Sequence, residues 1–221
     1  MTQPERTRTP IVLAAWLALA MGAGVAVAAD LEAVAADSLL VQPAGPRPGE
    51  AGKTYANVQG PKAGSDPKFA GFAILDFPAP KLASADEKVR KATLTLTQSV
   101  ARFSRDGRIR LFLAGESGGK LDDAGKPLRF DPKAPGGLGD QIPGLIPLGL
   151  ADYAKGGTGD ADPYPIALDD AARKALDDRL RAGGTIRIVI APEDAHVAAT
   201  FFGVGARQPE NRPRLTIVTG P

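Results

Sequence analysis

The chain has 221 residues with 27 basic and 25 acidic side chains, a formal net charge of +2. So even a balance offers no general field for nucleic acid or anionic lipid, and nucleic-acid partners are set aside on that ground. There is no cysteine, which removes a disulfide framework and a cysteine-linked lipid anchor together and leaves core burial to hold the fold.

The first segment reads as an export signal. Arg6 and Arg8 precede an apolar run from Ile11 to Ala20, and Ala26-Val27-Ala28 closes it in small residues. The run breaks into Gly-containing sequence before the ~18 apolar residues that a membrane span needs. Cleavage before Ala29 is expected, with residues 29–36 as a short linker and 37–221 as one domain. No apolar span or basic cluster closes the tail after Leu215. The mature protein is therefore expected outside the cytoplasm, in the periplasm, at the cell surface or in the medium, without a transmembrane anchor.

Strands then follow one another. Ser38–Gln42, Tyr55–Gln59 and Phe72–Phe77 are bounded by Gly, Pro and Asp. In the run from Val89 to Thr97, Ala92, Leu94 and Leu96 alternate with Thr93, Thr95 and Thr97, the period of a half-buried strand. The stretch from Arg108 to Leu113 repeats that period. Gly115 to Leu148 reads as one long connection, longer than loops usually are, hence either functional or a mobile surface excursion. Tyr164–Leu168 returns to strand.

Asp169 to Ala182 is the single predicted helix. Leu168, Ala172, Ala175, Leu176 and Leu180 form its apolar stripe, and Asp169 or Asp170 caps its start. Asp170–Lys174 and Asp177–Arg181 are four-apart ion pairs, and Gly183-Gly184 stops the helix. Its expected role is to plug one end of a sandwich. Thr185–Ile190, Val197–Phe202 and Leu215–Thr219 complete about nine strands. Many strands with one helix point to an all-β fold, a two-sheet antiparallel sandwich of jelly-roll type with one short α-helix.

Three motifs suggest chemistry and lose it in context. Gly115-Glu116-Ser117-Gly118-Gly119 matches a nucleophile elbow, but the following sequence reads as turn and loop where that elbow requires a helix. Gly49-Glu50-Ala51-Gly52-Lys53-Thr54 resembles the end of a phosphate-binding loop, but Arg47 stands where the first glycine belongs and Pro46 and Pro48 flank it. The lone histidine, His196, sits in a turn between strands. An enzyme would need acid and base groups in one cleft, and Asp76, Glu116, Asp194 and His196 are the groups to inspect.

Two features remain as binding candidates. Asp160-Ala161-Asp162, after Gly156-Gly157-Thr158-Gly159, offers oxygen ligands of the kind that hold calcium, although tight turns demand the same residues. No other cofactor is implied. The only tryptophan, Trp16, lies in the leader, so Tyr55, Tyr153 and Tyr164 are the rings with polar tips available to a ligand surface. Phe201 and Phe202 point to opposite faces of one strand, exposing one of them. Arg108, Arg110, Arg187 and Lys91 fall on outward faces of strands, where they either read an acidic polymer or protect an edge.

Taken in order, Ala36-Asp37-Ser38-Leu39-Leu40-Val41, Phe72-Ala73-Ile74-Leu75-Asp76-Phe77, the strand from Val89 to Leu96 and Asn211-Arg212-Pro213-Arg214-Leu215-Thr216-Ile217-Val218 resemble secreted DNRLRE-type domains. Arg212-Pro213-Arg214-Leu215 is similar to the Arg-Pro-x-Leu that opens the last strand in that group. The resemblance implies a β-sandwich and, because the group includes some alginate-binding modules, a non-catalytic role on extracellular polysaccharide or matrix. A structural envelope component without a small ligand, and a polysaccharide-degrading enzyme on a jelly roll, are the alternatives.

Overall fold

The computed structural model describes residues 29–82, 84–114, 122–123, 126–133, 138–142, 144–155 and 161–221. The leader, the Gly115–Gly119 motif and Asp160 lie outside them. In chain order the elements are β1 (Ala29–Val34), β2 (Asp37–Gln42), β3 (Gly45–Pro46), α1 (Glu50–Thr54), β4 (Val58–Gln59), β5 (Phe72–Pro78), β6 (Lys88–Thr97) and β7 (Gly107–Leu113). After them come β8 (Asp122–Asp123), β9 (Lys126–Pro127), α2 (Leu138–Gln141), β10 (Ile146–Tyr153), β11 (Pro163–Ala167), α3 (Asp170–Ala182), β12 (Thr185–Pro192), β13 (Ala198–Ala199) and β14 (Arg214–Gly220).

Two antiparallel sheets result. One has the order β1-β14-β6-β11, the other β10-β7-β12-β5-β2-β3. The alternation in β6 turns Ala92, Leu94 and Leu96 inward, where they meet Leu75, Leu111 and Ile188 of the facing sheet in one core. The all-β sandwich expected from the strand pattern is the observed fold.

The segment from 29 to 36, expected as a linker, is an edge strand instead. β1 pairs with β14 from Ala29 opposite Thr219 to Val34 opposite Arg214. Ala29, Leu31 and Ala33 alternate with Asp30 and Glu32, as one covered face requires, but the run is short and directly follows the leader, which is why it reads as linker.

The long connection also differs from expectation. Its last residues belong to β10, which pairs with β7 through a bulge between Pro147 and Gly149. Proline and glycine within three positions hide a strand from a period-2 reading, since a bulge is where a sheet tolerates them. Upstream, Leu128, Phe130, Leu138 and Ile142 are buried against Val41, Phe72, Ile74, Phe112 and Val189, on the side of the second sheet away from the main core. This sheet is therefore covered on both faces, which is why Phe72–Leu75 of β5 and Ile188–Ala191 of β12 are apolar on both faces.

α3 closes one end, as predicted. Ala172, Leu176 and Leu180 are buried in the main core, Asp177 Oδ1 accepts the Val89 N–H at 2.8 Å, and Arg179 donates to the Ala114 carbonyl at 3.0 Å. The helix thus ties β6 of one sheet to the end of β7 in the other. Asp169 occupies the N-cap position without a side-chain bond, and Gly183 ends the helix with its N–H on the Arg179 carbonyl. Of the predicted pairs, Asp177–Arg181 forms at 3.5 Å. Asp170 turns instead to Arg173 at 2.8 Å and Lys174 to Asp178 at 2.7 Å.

Candidate functional site

One end of the sandwich carries a small separate layer. Gln59 of β4 pairs with Ala198 of β13, Gln59 pairs on its other side with Gly71, and Ala198 on its other side with Arg105. Four backbone segments therefore lie side by side. A Cβ at Gly60 would stand 2.4 Å from the Ala195 carbonyl oxygen, so this close approach of the β4 segment to the turn after β12 requires glycine.

Alternation along Tyr55–Gln59 decides what this layer presents. Ala56 and Val58 are buried, whereas Tyr55, Asn57 and Gln59 are half-buried, and all three face a cleft of about 700 Å³. The Asn57 Oδ1 is buried without a hydrogen-bond partner among the described residues. Such an acceptor costs about 1–3 kcal/mol until a donor reaches it.

The two flanks of the cleft are built alike. Asp66-Pro67-Lys68-Phe69 forms one turn of 3₁₀-helix in which the Asp66 carboxylate caps the Lys68 N–H at 3.0 Å and Pro67 takes the first position, where no donor is missed. The Lys68 ammonium and N–H also hold Asp66 below the ordinary carboxylate value. Ala101–Phe103 forms a second such turn. Each ends in a phenylalanine turned to solvent, Phe69 at 51% and Phe103 at 61% exposure. Each ring also carries a neighbouring cation, Lys68 Nζ at 5.0 Å and the Arg102 guanidinium at 4.7 Å. Phe69 precedes Gly71 and Phe103 precedes Arg105, the two outer segments of this layer, whose backbones lie about 14 Å apart by strand spacing.

Charge in the cleft is mainly positive, its one acidic lining residue, Asp66, being paired with Lys68 at 2.6 Å. Arg47, Arg102 and Arg105 line it, and among the described residues none of the three forms an ion pair. The arginines singled out from strand faces are committed elsewhere. Arg108 pairs with Asp194 at 3.0 Å, Arg110 with Glu193 at 2.6 Å, and Arg187 with Asp76 at 2.7 Å. These bonds hold Asp194 and Glu193 below the ordinary carboxylate range and raise all three arginines.

The tyrosines separate. Tyr55 lines the cleft. Tyr153 does not: it is 2% exposed, its hydroxyl donates to Ser104 Oγ at 2.8 Å and accepts from Gln98 Nε2 at 3.0 Å, and Ser104 in turn meets Thr200 Oγ1 at 2.7 Å. Ser104 and Thr200 of this buried network also line the cleft, so the network holds that wall in place. Tyr164 packs on Tyr153 and Phe201, its hydroxyl donates to the Asp152 carbonyl, and burial pushes its phenol above the ordinary value. Phe201 is in the core and Phe202 half-exposed, as their adjacency on one strand requires.

Of the proposed calcium ligands, Asp160 is outside the described residues, and Asp162 is exposed with its backbone carbonyl taken by the Gln98 N–H at 2.9 Å. Among the described residues no three acidic, histidine or cysteine side chains are grouped to hold a metal ion. Among the described residues, the groups marked for acid–base work fall at two places. Asp76 faces Arg187 near the start of β12, while Asp194 and His196 follow its end, about 20 Å away along the strand. His196 Nδ1 lies 3.2 Å from the Lys62 carbonyl, and Glu116 is outside the described residues.

Sequence reasoning reached Tyr55 and missed Phe69, Phe103, Asn57 and the three cleft arginines. The missed signal was local: Lys68-Phe69 and Arg102-Phe103 each set a cation and a ring at the end of a short turn beside a strand. No protein-family model matches this chain, and no curated protein matches it.

Proposed function

We propose that this chain is an exported, non-catalytic β-sandwich that binds acidic polysaccharide in the cleft between Phe69 and Phe103. The observation that carries the reading is the pairing of two exposed rings with three guanidiniums that have no ion-pair partner among the described residues. Flat apolar faces suit the CH-rich faces of sugar rings, and a guanidinium fork matches the two oxygens of a uronate carboxylate. A sugar hydroxyl is the donor that Asn57 Oδ1 lacks. Export rests on the leader sequence, and the resemblance to DNRLRE-type domains supports the same role.

A glycan array probed with the mature protein, neutral and acidic polysaccharides side by side, tests the reading. Retention on uronate-bearing polymers is the expected result. Binding to neutral polymers alone would contradict the role given to the arginines, and silence across the array with folded protein would overturn the reading in favour of a structural envelope component.

A further inference from the structure

The Phe69–Phe103 cleft continues past Tyr55. A second hollow of about 720 Å³ opens there, lined by α1 on one side and by the segment from Phe202 to Asn211 on the other. Tyr55 lines both hollows. The segment from Ala198 to Phe202 runs from one to the other: Ala198, Ala199 and Thr200 line the first, and Phe202 lines the second. Between them the surface is aromatic, because the Tyr55 and Phe202 rings stack at 6.4 Å.

The second hollow is firmly built. The Gly203 N–H donates to the Thr54 carbonyl at 2.7 Å and the Gly205 N–H to the Lys53 carbonyl at 2.9 Å. A Cβ at Gly203 would lie 2.3 Å from the Lys53 carbonyl oxygen, so glycine is required for this contact. On the rim, Arg207 is exposed and forms no ion pair among the described residues. Lys53 is paired with Asp37 at 3.2 Å, and Glu50 is the one acidic lining residue.

From this continuity we infer that the two hollows are successive subsites of one track, and that the ligand is a polymer bound along its interior and crossing the Tyr55–Phe202 pair. This rests on the polysaccharide reading above. Each hollow falls in the ~300–1,000 Å³ range that holds one drug-sized ligand, the size of a di- or trisaccharide. A chain twice that length fills both, and the second contact becomes intramolecular once the first is made.

Calorimetric titration of the mature protein with linear oligouronates, dimer to octamer, tests the inference beside the Arg207→Glu variant. Wild type is expected to bind the hexamer about tenfold or more tightly than the trimer, then level off. Arg207→Glu, an exposed change whose folding is checked by melting temperature, is expected to lower hexamer affinity about tenfold and leave trimer affinity unchanged. Equal wild-type affinities for trimer and hexamer, or equal losses for both in Arg207→Glu, would overturn the second subsite while leaving the first cleft in place. Failure of every oligomer and of the parent polymer to bind would overturn the polysaccharide reading itself.

Discussion

Tyr55 and Phe202 face each other across an antiparallel bridge with their ring planes 22° apart, and the two hollows meet at this pair. The two residues differ in reach, since Tyr55 lines both hollows and Phe202 only the second. Tyr55→Ala is expected to weaken short and long oligouronates alike by about tenfold, whereas Phe202→Ala weakens only the long ones. Titration of both variants with trimer and hexamer reads the difference.

Tyr153 is expected to act on stability and not on binding. Tyr153→Phe removes the acceptor of Gln98 Nε2 and the donor to Ser104 Oγ inside a closed network. The expected loss is about 1–3 kcal/mol by denaturant titration, with oligouronate affinity within about threefold of wild type.

α3 joins the two sheets through Leu176, which is fully buried. Leu176→Ala is expected to cost about 2–5 kcal/mol. An exposed change on the same helix, Lys174→Ala, is expected to stay within about 0.5 kcal/mol, because its pair with Asp178 lies in solvent. Chemical denaturation of the two variants separates a core plug from a surface helix.

Acid reaches the Arg108–Asp194 and Arg110–Glu193 pairs only after carboxyls of ordinary value have begun to protonate. Both carboxyls sit below their ordinary values in the folded chain, so their stabilising effect is complete above the ordinary carboxylate range and is lost as pH falls through the lowered values. The melting temperature is expected to drop below about pH 5. The difference between wild type and Arg110→Gln should be larger at pH 7 than at pH 3. A difference that widened in acid would contradict the assignment.

Much of this architecture was legible because burial imposes a period. β6, β12 and α3 each repeat an apolar spacing over enough positions to be read directly, and each lies close to where that spacing puts it. β1 and β10 were not read as strands, the first because its short alternation of Ala29, Leu31 and Ala33 with Asp30 and Glu32 follows directly on the leader, the second because Pro147 and Gly149 interrupt it. The plug of Leu128, Phe130, Leu138 and Ile142 left a trace in Phe112 and Val189, apolar residues on strand faces that alternation alone would leave wet. The candidate site was the least legible part. Its rings and cations come from two short turns, the segment around Tyr55 and the loop after β3 that carries Arg47, and the backbone pairing of Gly71, Gln59, Ala198 and Arg105 brings the two turns to one cleft.

The most direct test of the acidic-polysaccharide cleft is the affinity of the Phe69→Ala/Phe103→Ala double variant for uronate polymer, measured by calorimetry beside wild type at low and high salt. Both rings are exposed, so the melting temperature is expected to hold while affinity falls about 30-fold or more, and the wild-type affinity is expected to decline with salt as arginine contacts are screened. Undiminished binding by the folded double variant would place the ligand elsewhere and contradict the assignment of this cleft.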